Sequence, residues 1–145
     1  KMDIKTENLE ILLKLIEGDF PDYEKVIPYK NSKDVIINTN ALKDMVGKVS
    51  IVSNDKTKNI KMSIKENNID IEITSSDGST ANGNIGINYS GENIEIILNA
   101  KYLIDILGQI TEENIVLKIE DGISPLLIQQ EKNKNLLFVL MPIRL

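Results

Sequence analysis

Hydrophobic positions follow a helical period in two parts of this chain and a strand period in most of the rest. Five apolar residues spaced i, i+3, i+4, i+7 and i+10 form the first helical stripe: Leu42, Met45, Val46, Val49 and Val52. The same spacing returns about 58 residues later in Ala100, Leu103, Ile104, Leu107 and Ile110. Thr39 or Asn40 is expected to cap the first helix, and Asn99 the second.

Short apolar strands flank each stripe. The predicted strands are 34–38 before the first helix and 60–64, 69–73 and 85–89 after it, then 94–98 before the second helix and 115–119, 125–129 and 136–141 after it. The pattern therefore predicts an α+β fold in which β-α-β-β-β occurs twice. Each helix has one apolar face, so both should pack on one side of antiparallel sheet. A chance recurrence of so simple a pattern remains the alternative.

The N-terminal part has a different character. Residues 2–5 alternate as a strand, 6–8 have turn chemistry, and 9–16 form a second apolar strand, so we expect a hairpin that ends some preceding structure. In the segment 15–28, which we call the connector, Pro21 and Pro28 favour extended backbone at Phe20 and Ile27. This predicts a stiff, irregular segment with exposed aromatic and aliphatic side chains. The alternative is an ordinary loop.

Composition narrows the function classes. The 145 residues suit one domain, and they include no cysteine and no histidine. Disulfides, cysteine metal sites and the usual neutral-pH general base are therefore excluded. The net charge of −5 argues against nucleic-acid binding by bulk electrostatics. No apolar run approaches the roughly 20 residues that span a bilayer. Since the first residue is Lys, we expect the chain to be part of a longer protein.

The charged residues offer few candidate sites. Lys43 and Lys48 flank the polar side of the first predicted helix, and Lys101 takes the matching position on the second. They form either an ordinary solvated face or a thin positive lining that meets a polyanion without gripping it. The acidic pairs 112–113 and 120–121 are interpreted as helix-end and turn residues, which disfavours a carboxylate-based hydrolase. No phosphate-binding glycine motif precedes a helix.

Four segments carry a resemblance to a known family. They are LIEGDFPDYEKVIP (15–28), VSIVSNDKTKNIK (49–61), YSGENIEIILNAKYLIDIL (89–107) and MPIRL (141–145). Together they resemble the bacterial replicative sliding clamps, the beta subunits of DNA polymerase III, along essentially the whole chain. The resemblance implies the DNA-clamp fold, with 1–20 as the tail of the second clamp domain and 21–145 as the third.

The same resemblance implies a non-catalytic processivity factor without a cofactor, in the bacterial cytoplasm and not in a membrane. Its full-length form would be a head-to-tail homodimer that encircles double-stranded DNA. A ring held by topology does not need tight phosphate contacts, which fits the acidic net charge. Lys43, Lys48 and Lys101 then become candidate DNA-facing residues. The implied protein partners are the polymerase catalytic subunit, the clamp loader and other proteins with clamp-binding motifs, such as repair proteins.

The family also binds short peptide motifs, of the Gln-Leu-x-Leu-Phe type, in one apolar pocket. The matching positions here are Pro21, Val26, Asn99, Tyr102, Ile123, Pro125, Val139, Met141, Pro142, Ile143 and Arg144. Ile51, Val52 and Asp77 match the subunit interface. The segment 77–88 holds one acid where some clamps have an acidic cluster. A stand-alone β-rich interaction module that uses the connector is the alternative reading of the chain.

Overall fold

A hairpin stands at the N-terminus of the computed structural model, which describes residues 1–15, 17–18, 20–52 and 59–144. Strands β1 (Met2–Lys5) and β2 (Glu10–Leu13) are antiparallel, and every residue in them is exposed. Among the described residues these strands pair only with each other. The second strand was predicted to span 9–16, but β2 covers only Glu10–Leu13. Ile16 lies outside the described residues.

After the connector, the predicted element order is confirmed. The first repeat consists of β3 (Lys33–Asn38), α1 (Thr39–Ser50), β4 (Asn59–Lys65), β5 (Asn68–Thr74) and β6 (Thr80–Gly86). The second repeat consists of β7 (Ile94–Asn99), α2 (Ala100–Leu107), β8 (Asn114–Ile119), β9 (Leu126–Gln130) and β10 (Leu137–Leu140). The α+β class and the double β-α-β-β-β pattern are therefore both present.

The two repeats exchange their first strands. One four-stranded sheet has the order β10-β9-β8-β3, and the other has the order β6-β5-β4-β7. Strand β3 pairs antiparallel with β8 along its whole length, and β7 pairs with β4 in the same way. Asn88 and Ile36 also exchange backbone hydrogen bonds of 3.0 and 3.2 Å, which link the two sheets. Each sheet is thus completed by a strand from the other repeat.

A single core lies between the sheets and the helices. Alternate residues of the strands point into it, in keeping with the two-residue period of a strand. The helices contact each other, and each of them contacts strands of both sheets. A Cβ atom at Gly83 would overlap the sulfur of Met45, so the absence of a side chain there lets α1 lie close on β6. This arrangement puts the polar helix faces on the outside.

Two local predictions were wrong. The N-cap of α1 is Asn38, whose side-chain oxygen accepts a hydrogen bond from the Ala41 N–H at 2.9 Å, and not Thr39 or Asn40. Thr39 is already helical, and its hydroxyl donates to the Glu112 carbonyl at 2.8 Å. The strand predicted at 85–89 is β6, which runs from Thr80 to Gly86. The small residues Ala81 and Gly83 take two of its inward positions and hide the apolar alternation. The predicted Asn99 cap is confirmed.

Asn38→Ala should lower the free energy of unfolding by about 0.5–2 kcal/mol, because it removes the acceptor for a first-turn N–H of α1. Asn40→Ala is the matched control, since Asn40 is exposed and makes no such cap. Urea denaturation followed by circular dichroism would measure both variants. Equal destabilisation by the two substitutions would contradict the assignment of the cap.

Candidate functional site

The β8–β9 loop is held in shape by its own acidic residue. The Asp121 carboxylate accepts hydrogen bonds from the N–H groups of Ile123 and Ser124 at 2.9 and 2.6 Å, and from the Ser124 hydroxyl at 3.0 Å. These donors favour the charged form and keep the pKa of Asp121 below its usual value. The loop therefore presents Ile123, which is 55% exposed, from a fixed backbone.

The residues after the connector fasten this loop from the outside. The Asn31 side-chain amide donates to the carbonyls of Lys118 and Pro125, both at 2.8 Å, and so joins the two ends of the loop. The Ser32 hydroxyl and N–H both donate to the Glu120 carboxylate, at 2.8 and 2.9 Å. These bonds lower the pKa of Glu120. As interpreted from the sequence, the acidic pair at 120–121 holds a turn.

An open cleft of about 540 Å³ lies beside the edge strand β7. There the residues after β10, 141–144, which we call the C-terminal segment, meet the β8–β9 loop. Its wall is close-packed at Gly122, where a Cβ atom would overlap the Glu95 carbonyl oxygen. The Ile143 N–H donates to the Ile97 carbonyl at 2.8 Å and fastens the C-terminal segment to β7. The cleft is lined by Lys61, Glu95, Ile97, Gly122, Ile123, Ile143 and Arg144.

Three of the predicted pocket residues, Ile123, Ile143 and Arg144, thus share one cleft. Val139 belongs to β10, the strand that precedes the C-terminal segment, and pairs there with Leu127. Because Leu140 points into the core, the strand period puts Val139 and Met141 on the opposite face. Met141 is 51% exposed, whereas Pro142 is buried.

The remaining predicted pocket residues do not line the cleft. Asn99 caps α2 through hydrogen bonds from the N–H groups of Lys101 and Tyr102. Tyr102 is 57% exposed on α2, a helix that contacts β10. Pro125 is half-buried at the end of the β8–β9 loop, while Pro21 and Val26 are exposed on the connector.

The connector has the predicted exposed aromatic character. Phe20 is 83% exposed, and its ring meets that of Tyr23 edge-on, with centroids 6.4 Å apart. One short 3-10 turn, Tyr23–Lys25, interrupts the otherwise irregular backbone. Asp19 lies outside the described residues. An apolar pair this exposed is available for contact with another surface.

The predicted DNA-facing lysines lie on the outer faces of the adjoining helices α1 and α2. Lys43, Lys48 and Lys101 are all exposed. Within the described ranges, no carboxylate lies within 4.0 Å of their ammonium groups. Asp44 and Asp105 are exposed on the same helices and dilute the positive charge, as the sequence indicated.

The predicted interface residues occupy the end of α1 and the β5–β6 turn. Ile51 is 78% exposed, whereas Val52 packs partly against the core. Asp77 accepts a hydrogen bond from the Ser79 N–H at 2.8 Å, which lowers the pKa of Asp77. Gly78 follows with φ of +84°, a backbone angle that suits glycine. The matched segment 49–61 is described only in part, because 53–58, like Leu145, lie outside the described residues.

Sequence reasoning missed the part of the cleft formed by Lys61, Glu95 and Ile97. All three point outward from strands β4 and β7, and outward positions on a strand carry no signal for a site. Asp121 was interpreted as a turn residue, but the close approach of the adjoining Gly122 to β7 has no local signature. In the part of the chain that the structure describes, no group of three His, Cys, Asp or Glu residues could hold a metal ion. None of the helices described there could cross a membrane.

Residues 24–144 match the family model described as DNA polymerase III beta subunit, C-terminal domain. Among curated proteins, the chain is 34% identical over 132 residues to the beta sliding clamp of Pseudomonas putida, covering 91% of this chain and 36% of that protein. It is 32% identical over 152 residues to the beta sliding clamp of Haemophilus influenzae, covering 100% and 42%. The chain therefore spans only about two fifths or less of the length of these relatives.

Solved structures agree with the sequence matches. A sliding clamp from Bartonella birtlesii, bound to griselimycin, superposes with a TM-score of 0.86 at 34% identity, over 90% of this chain and 35% of that one. The polymerase III beta of Caulobacter crescentus superposes with a TM-score of 0.87 at 31% identity, over 91% and 36%. The fold predicted from the sequence is confirmed by both.

Gly122→Ala should destabilise the fold by about 1–3 kcal/mol, because the added methyl group overlaps backbone and not a flexible side chain. Gly47→Ala is the control, since a Cβ atom there meets nothing within 4 Å and alanine favours a helix. Chemical denaturation gives both values. A Gly122→Ala variant as stable as the parent would contradict the close packing of the loop on β7.

Proposed function

Because the chain belongs to the family of the DNA polymerase III beta subunit through its C-terminal domain, we propose that it is the third domain of a sliding clamp. The whole clamp would encircle duplex DNA and tether a replicative polymerase during processive synthesis. It would have no catalytic role. The observation that carries this proposal is the layer of two adjoining helices, whose exposed lysines have no carboxylate partners among the described residues.

The charge distribution favours a weak contact with DNA, which permits sliding, over a tight one. The chain carries 17 basic and 22 acidic residues, so its long-range field repels a polyanion. Lys43, Lys48 and Lys101 offer only a sparse positive lining on α1 and α2. Affinity for DNA rises steeply with each neutralised phosphate, and few such contacts leave a clamp free to move. Closure of the ring would then keep it on DNA.

The exposed hairpin supports the proposed domain boundary. Strands β1 and β2 present apolar side chains to solvent on all sides, among them Ile4, Leu12 and Leu13. Exposed apolar surface of this kind normally packs against other protein. We therefore assign 1–20 to the end of a preceding clamp domain and 21–145 to the third domain. In the same proposal, Ile51, Val52 and Asp77 contribute to the contact between subunits of a head-to-tail dimer.

The second activity in this proposal is peptide binding. The pocket would comprise the predicted residues of the connector, the start of α2, the β8–β9 loop and the C-terminal segment. Ile123, Val139 and Met141 offer apolar surface, and flexible methionine adapts to varied side chains. Arg144 adds a charged side chain, and the β8–β9 loop, which Asn31 holds through two hydrogen bonds, adds a rigid backbone. Polymerases, the clamp loader and repair proteins that carry a clamp-binding motif would compete for this surface.

The peptide proposal predicts a localised response in nuclear magnetic resonance. Titration of the isotope-labelled chain with the peptide Gln-Leu-Ser-Leu-Phe should shift signals of Val26, Tyr102 and Met141. Tyr102→Ala should weaken binding about fivefold or more, as truncation of an aromatic contact residue does. Tyr29→Ala, at an exposed tyrosine outside the predicted pocket, should leave affinity unchanged. No shifts at hundreds of micromolar protein would count against the pocket.

The DNA proposal predicts weak contact confined to the two helices. In low-salt buffer, a short DNA duplex should shift amide signals around Lys43, Lys48 and Lys101, and added salt should abolish the effect. The triple substitution to Glu at these positions should remove the shifts. Lys132→Glu with Lys134→Glu, in the exposed β9–β10 turn, is the control for charge and should preserve them. Shifts that map to that turn instead would overturn the proposed orientation.

A further inference from the structure

The cleft beside β7 extends beyond the predicted peptide pocket, with which it shares Ile123, Ile143 and Arg144. Its volume of about 540 Å³ lies in the range of sites that hold small ligands or a few side chains. Both walls are fixed, one by the close contact of Gly122 with the Glu95 backbone and the other by the hydrogen bond between Ile143 and Ile97. A peptide seated in the pocket can therefore continue into a preformed groove.

The interior of the cleft is mainly apolar, and its charges stand at the rim. Ile97, Ile123 and Ile143 supply the apolar surface, whereas Lys61, Glu95 and Arg144 supply the charge. Such a site suits an extended segment that buries aliphatic stems and leaves a charged head at the rim.

The described residues that line the cleft carry two cations, Lys61 and Arg144, and one carboxylate, that of Glu95, so their net charge is positive. The Glu95 carboxylate already binds the Lys61 ammonium at 2.8 Å and the Ser63 hydroxyl at 3.3 Å. Glu72, which is the cross-strand partner of Lys61 on β5, lies outside the lining. Arg144 is exposed and has no carboxylate within 4.0 Å among the described residues. Its planar guanidinium can bind a carboxylate through two parallel hydrogen bonds.

We propose that this cleft binds acidic residues that flank the apolar motif of a bound peptide, with Arg144 as the main contact and Lys61 as the second. The inference rests on the proposed peptide-binding function and adds a preference among partners. Partners with Asp or Glu beside the motif would be favoured over partners with Lys or Arg there. In a chain of net charge −5, a cleft with this preference is locally distinct from the rest of the surface.

Three peptides test the proposal on the whole chain. Each contains Gln-Leu-Ser-Leu-Phe between dipeptide extensions of Asp-Asp, Ser-Ser or Lys-Lys, and fluorescence anisotropy gives the dissociation constants. At low salt the Asp-extended peptide should bind about twofold to fivefold more tightly than the Ser-extended one, the range of a single exposed ion pair. The Lys-extended peptide should bind more weakly than both. Raising the salt toward about 1 M, where screening acts over only ~3 Å, should remove the differences.

The ratio of affinities for the Asp- and Ser-extended peptides is the readout, since it cancels any general loss of binding. Arg144→Gln should lower this ratio toward one. Lys61→Gln should lower it as well, because it removes a cation and leaves Glu95 without its partner. Lys65→Gln is the matched control: Lys65 is on the same strand and forms a similar exposed pair with Asp70 at 2.8 Å, outside the cleft. It should leave the ratio unchanged.

The outcomes separate this inference from the function on which it rests. If all three peptides bind with equal affinity, the cleft does not discriminate between acidic and basic extensions and the inference is overturned. The proposed peptide pocket would be unaffected by that result. A ratio that Lys65→Gln changes as much as Arg144→Gln would also overturn it, since the effect would then be a general field. If none of the peptides binds, both the pocket and the inference fall.

Discussion

The exchange of first strands between the two repeats is the constraint on which the rest of the structure depends. Without β7, the sheet of the first repeat would end at β4 with an open row of backbone groups, and β8 would lack β3 in the same way. Open strand edges invite pairing with other chains. The exchange pairs β4 and β8 within one chain and leaves β7 and β3 as the outer strands of their sheets. It also places α1 and α2 side by side over a shared core. The helix layer, the cleft and the C-terminal segment all take their positions from it.

The helices and strands could be predicted from the sequence because their periods are clean. Leu42, Val46 and Val49 are buried on one face of α1 as their spacing indicates. The strand exchange could not be predicted, because identical alternation is compatible with pairing inside or between repeats. Even the cap of α1 was misplaced by one or two residues, since Asn38, Thr39 and Asn40 all have suitable side chains and the backbone angles decide which of them caps the helix.

In the candidate site, too, some residues could be predicted from the sequence and others could not. The resemblance pointed to Ile123, Ile143 and Arg144, and the fold brings these three into one cleft. It gave no indication of Lys61 and Glu95, because an ion pair between neighbouring strands depends on register and not on spacing along the chain. The roles of the hydrogen bonds from Asn31 and Ser32 were equally hidden, because their partners lie 87 to 94 residues away in sequence.

The same long separation has a consequence for how the protein is made. Strand β3 leaves the ribosome well before β8, which must arrive before β3 has a neighbour along its length. Until then the nascent chain carries Val35 and Ile37 on a strand without a lasting partner. Contacts so distant in sequence slow folding, and incomplete chains with unpaired strands are prone to aggregate. The interlocked architecture thus ties folding of the first repeat to complete translation of the second.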